Sequence, residues 1–88
     1  MPIISMFFGI RIYIYLEEGG QHNVPHVHAI YGEYEMAIDF NGNILAGSLP
    51  RKQQAMVVAW VLMHDEELRA NCELLKDNQS PFRIDPLK

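Results

Sequence analysis

The sequence predicts an α+β fold: an antiparallel β-meander of four to five strands packed against one long C-terminal helix, with an extended C-terminal tail. Three observations carry this expectation. Residues 10–16 alternate strictly, with Ile10, Ile12, Ile14 and Leu16 on one side and Arg11, Tyr13 and Tyr15 on the other, which is the period of a half-buried strand. Residues 25–31 and 34–40 form two further runs separated only by Gly32-Glu33, a two-residue hairpin turn in which glycine supplies the positive φ. From Arg51 to Lys76 there is no glycine or proline to interrupt a helix.

Taken in order, residues 1–8 offer an extra edge strand before the first clear one. Residues 17–25 read E-E-G-G-Q-H-N-V-P, which is loop chemistry. A turn at Gly32-Glu33 sets Tyr31 opposite Tyr34, Ala29 opposite Met36 and Val27 opposite Ile38, so that apolar residues share one face. The other face then carries His26, His28, Ile30, Glu35, Ala37 and Asp39, with His26 opposite Asp39. Asn41-Gly42-Asn43 makes a second tight turn before a short strand at residues 44–46. Ser48-Leu49-Pro50 marks a helix start, with Ser48 as cap and Pro50 tolerated in the first turn. A continuous helix from there to Lys76 would be about 40 Å long. Val57, Val61, His64, Leu68, Cys72 and Leu75 form one stripe along it. Residues 55–63 are apolar on every side, so one face is expected on the sheet and the other against a second protein, identical or different. Residues 80–88 read as a proline-punctuated tail that pairs on a sheet edge through Phe82 and Ile84.

Composition narrows the class. With 88 residues, 49% of them hydrophobic, the whole of 1–88 is expected to be one folded domain rather than a disordered chain. A domain of this size buries only roughly 60% of its unfolded surface, so an oligomeric partner would add appreciably to its stability. Eleven acidic residues against seven Lys and Arg argue against a partner held by bulk basic charge. Any nucleic-acid contact is confined to Arg11 or to Arg51-Lys52 at the start of the helix. Lone Cys72 excludes an internal disulfide, and no signal or membrane-spanning pattern is evident, so the cytoplasm is the expected location.

The chemistry-bearing cluster is His22-Asn-Val-Pro-His26-Val-His28. Histidines two apart on a strand project to the same side. His26 and His28 could therefore ligate a divalent metal with His22 as a third ligand, or His26 could act as a general base oriented by Asp39. Arg11, Tyr13 and Tyr15, on the non-core face of the preceding strand, would complete a surface able to hold a phosphate through Arg11 and a base by stacking on tyrosine. The competing reading is a hydrophilic sheet face without chemistry, since exposed tyrosines are common on sheets and at interfaces. His64, inside the apolar stripe, reads as a hydrogen-bonded core residue, and Asp65-Glu66-Glu67 as a solvated turn in mid-helix. Met56, Trp60 and Met63 read as packing or as an adaptable partner surface.

Several segments together resemble a known family. These are the opening residues 1–10, Pro25-His26-Val27-His28-Ala29-Ile30-Tyr31-Gly32-Glu33, Gly47-Ser48-Leu49-Pro50 and Glu67-Leu68-Arg69-Ala70-Asn71. The family is DUF4160, a group of small prokaryotic proteins, and the Pro-His-x-His-Ala segment is the most specific part of the likeness. The resemblance implies signature positions at His26, His28, Tyr31 and Gly32, with His22 and Asn71 as further matches. It also implies a toxin–antitoxin setting, in which the DUF4160 protein is the toxin and a DUF2442 protein its neighbour and antitoxin. Two positions depart from the pattern: Val24 stands in place of the first of two prolines, and Cys72 in place of an aromatic residue. The resemblance supplies no reaction. A non-catalytic interaction module or homodimer, and a metal-binding protein, remain the alternatives.

Overall fold

A computed structural model describes residues 2–14 and 24–87. Five strands, β1 (Ile3–Phe7), β2 (Ile10–Ile14), β3 (His26–Tyr31), β4 (Tyr34–Asp39) and β5 (Ile44–Gly47), form one antiparallel sheet in simple meander order. The β3–β4 hairpin has the expected register, with Tyr31 opposite Tyr34, Val27 opposite Ile38 and His26 opposite Asp39. Gly32 takes φ +58° in its turn, a conformation that costs a residue with a side chain.

Strand alternation divides the sheet into two faces. Ile10, Ile12, Ile14, Val27, Ala29, Met36 and Ile38 point inward and join Phe7, Leu49, Val57, Trp60, Val61 and Leu68 in one buried core. Each such aliphatic side chain contributes about 1.5–3 kcal/mol when fully removed from water, so the inner face is where the sheet and the helices hold together.

The helical half differs from expectation. Instead of one long helix there are two, α1 (Arg51–Met63) and α2 (Asp65–Lys76), separated by His64 at φ −119° and ψ 24°. The His64 amide still donates to the Trp60 carbonyl, and the His64 carbonyl accepts from Leu68, so this residue closes one helix and opens the next. Its Nδ1 lies 2.6 Å from Oε1 of Glu67. Asp65, Glu66 and Glu67 form the first turn of α2 and Lys76 sits in its last, each charge favourable to the helix dipole. The acidic run is thus a helix start, not a solvated turn in mid-helix. The start of α1 also differs: Pro50 is the cap residue and no side chain caps it. Ser48 instead donates its amide to Glu35 O, while Gln54 reaches back to accept from the Leu49 amide.

Residues 79–87 contain neither helix nor strand, yet hydrogen bonds to β1, α1 and α2 tie them down. The Ile84 amide donates to Ile4 O at 2.8 Å, and Trp60 Nε1 donates to Asp85 O at 2.8 Å. The fully buried Asn71 amide both donates to Phe82 O and accepts from Phe82 N. Ile84 is buried and Phe82 is 40% exposed. Among the described residues no helix is long and apolar enough to cross a membrane.

Candidate functional site

The outer face of the sheet, turned away from the core, gathers the polar side chains of three strands. Cross-strand pairing of β2 with β3 sets Arg11 beside Ile30 and Tyr13 beside His28, and β3 with β4 adds Glu35, Ala37 and Asp39 beside Ile30, His28 and His26. Arg11 and Glu35 therefore flank Ile30, about 10 Å apart at the level of the backbone because neighbouring strands are spaced by ~4.8 Å. The middle row runs Tyr13, His28, Ala37 and Ala46.

His26 and His28 come together as their spacing predicts, with ring centroids 5.0 Å apart and planes inclined at 59°. His26 is 5% exposed and His28 half-buried. The Nδ1 of His26 lies 2.8 Å from the carbonyl oxygen of Val24. A carbonyl can only accept, so Nδ1 carries a proton and, in the neutral ring, the lone pair sits on Nε2. This contact spans a single proline, whose fixed φ helps to present the preceding carbonyl to the imidazole. The order Val-Pro-His was the only trace of it in the sequence.

Asp39 stands opposite His26 in the register, but its carboxylate oxygens serve the 39–43 turn. Oδ1 accepts from the amides of Asn41 and Asn43 at 2.9 and 2.8 Å, and Oδ2 accepts from the Asn43 side chain at 3.2 Å. Partial burial by itself would push the Asp39 carboxyl up. The hydrogen bonds from the Asn43 backbone and side chain, and from Asn41 and Gly42, outweigh it and hold the group below its usual range. The partner that fixes the His26 ring is thus the Val24 carbonyl, while Asp39 fixes the turn beyond the strand end.

Arg11 is exposed and Tyr13 half-buried on the same face. Tyr15 and His22 lie outside the described residues. Among the described residues no group of three His, Cys, Asp or Glu side chains is placed to hold a metal ion. Elsewhere, half-buried His64 packs against the Trp60 ring at 5.4 Å between centroids and contacts Glu67, so it is hydrogen-bonded as expected but sits at the junction of the two helices rather than in the core. Burial pushes the Cys72 thiol up.

Chemically, the outer face offers two close imidazoles, one of defined tautomer, with a phenol in the adjacent row and a guanidinium one row further. Such a set can move a proton and hold an anionic group. No curated protein and no solved structure matches the chain. The sequence pattern described as a domain of unknown function, DUF4160, matches residues 9–73, which take in β2 to β5, α1 and the His26-Val27-His28 segment. By that match over most of its length, the chain belongs to the DUF4160 family.

Proposed function

We propose that this DUF4160 chain is the toxin-like component of a two-protein toxin–antitoxin module and that it meets its target through the outer face of the sheet. The observation that carries the choice of face is the His26–His28 pair, 5.0 Å between ring centroids, on a face that also holds Tyr13 and Arg11. In this reading His26 is the base, with its ring held by the Val24 carbonyl at Nδ1. His28 is the acid or a second contact to the same group. Arg11 anchors a phosphate, which suits the planar fork of a guanidinium, and Tyr13 supplies aromatic surface. Asp39 acts indirectly, by fixing the strand end opposite His26 through the 39–43 turn.

The setting rests on family membership and on the association of that family with DUF2442 antitoxins. The acidic balance of the chain, −4, restricts any nucleic-acid contact to a local site rather than a basic surface. The test is expression with and without the site. Wild-type expression is expected to arrest growth, and His26→Ala combined with His28→Ala, in protein that retains its circular dichroism, is expected to release the arrest. Unchanged arrest by the folded double variant removes the histidines from the site. Absence of arrest by the wild type removes the toxin role.

A further inference from the structure

One side of α1 is left open by the described residues. Val57, Trp60 and Val61 are buried, whereas Leu62 is 53% and Met63 66% exposed. Ala55 and Ala59 are exposed as well. Leu49, Arg51, Ala55, Val58, Ala59 and Leu62 border a single shallow groove on this side, and the spacing of positions 55, 58, 59 and 62 makes them one helical stripe. Opposite charges bracket it. Arg51 and Lys52 open α1, and Asp65 and Glu66 follow directly after its end, in the first turn of α2.

We propose that this stripe is the contact between two copies of the chain, with the α1 helices packed antiparallel about a two-fold axis passing between Val58 and Ala59. The choice of occupant follows from charge order. Read along α1 and on into the first turn of α2 the order is basic, apolar, acidic, and an antiparallel second copy presents acidic, apolar, basic. Ala55 of each copy then faces Leu62 of the other and Val58 faces Ala59, which brings Arg51 toward the start of the other copy's α2, where Glu66 is exposed. A two-fold contact of this kind uses one patch twice, so the patch must complement itself. Small residues opposite larger ones meet that condition in shape, as the two ends do in charge. The alanines allow the axes to approach to about 8 Å, the close end of helix packing. Asp65 is also 3.9 Å from Arg69, so Arg51 and Glu66 are the informative pair.

The experiment is sedimentation velocity on the full chain over a concentration series, and its readout is independent of the outer sheet face. A reversible dimer is expected, with dissociation in about the micromolar range. Ala59→Glu, at an exposed position, should leave the circular dichroism unchanged and weaken the dimer by about a hundredfold, because it places a charge in the centre of the contact twice. Arg51→Glu and Glu66→Lys should each weaken it by about tenfold by setting like charges together. Mixing these two variants should restore association, since every cross-copy pair in the mixed dimer is again of opposite sign. A chain that stays monomeric across the series overturns the proposal and leaves the face to a different protein. So does a dimer indifferent to Ala59→Glu, or a mixture that associates no better than either variant alone.

Discussion

The two faces of the sheet are built from the same strands and differ in what they carry. The inner positions of β2, β3 and β4 are Ile10, Ile12, Ile14, Val27, Ala29, Met36 and Ile38, nearly all without exposed surface. The outer positions include Arg11, Tyr13, His28 and Glu35, exposed or half-buried, with buried His26 at one end of β3. Because side chains alternate with a period of two, a residue can be changed on one face without disturbing the other. The inner face therefore sets stability and the outer face is free to carry chemistry. Substitutions on the two sides should separate in what they alter.

The largest effect on stability is expected at Gly47. It has φ +71°, and a Cβ there would lie 2.1 Å from the carbonyl oxygen of Glu35, a clash with backbone that no rotamer relieves. Gly47→Ala should lower unfolding free energy by more than about 3 kcal/mol, measured by urea unfolding. A loss under about 1 kcal/mol would mean that the end of β5 yields easily.

Asn71→Leu comes next. The buried amide exchanges two hydrogen bonds with the Phe82 backbone at 2.9 and 2.8 Å, and the substitution leaves both backbone groups without that partner. A loss of about 2–3 kcal/mol is expected. Amide hydrogen exchange should also quicken at Phe82 and Ile84 while the Ile12 and Val27 amides stay protected, because the clamp holds the chain end and not the sheet.

Asp39→Asn should have a smaller effect, and one that depends on pH. The folded carboxyl is held below its usual range, so between the folded and unfolded pKa values the unfolded chain binds more protons and stability rises with pH. The contribution is complete above the unfolded value of about 3.9 and is lost as pH falls through the lower folded value. The urea midpoint of the variant should lie below that of wild type at neutral pH, and the gap should narrow on acidification. A gap independent of pH would show that the carboxylate charge does not hold the 39–43 turn.

These contrasts also explain which parts of the molecule were legible from residues alone. The β3–β4 register was readable because Gly32 locates the turn and alternation then assigns every later residue to a face. That placed His26, His28, Arg11 and Tyr13 on one surface. The helix break was hidden because no glycine or proline marks it. Its sign was the run Asp65-Glu66-Glu67, whose charges suit a helix N-terminus better than the middle of a helix. The Val24 carbonyl against His26 and the Asn71 clamp on Phe82 were not legible, because each depends on a backbone group and those are alike at every position. Asp39 was read through its cross-strand neighbour, whereas the Asn-rich turn after it competes for the same oxygens and wins.

The proposed division of labour between the faces is tested most directly by measuring unfolding free energy and growth arrest together for two variants, Met36→Ala on the inner face and the combined Arg11→Gln and His28→Gln on the outer. Met36 is fully buried, and its truncation should cost about 2–5 kcal/mol, with any remaining folded protein still arresting growth. The outer-face variant should stay within about 1 kcal/mol of wild type and no longer arrest growth. An outer-face variant that is equally stable and fully toxic would contradict the assignment of function to that face.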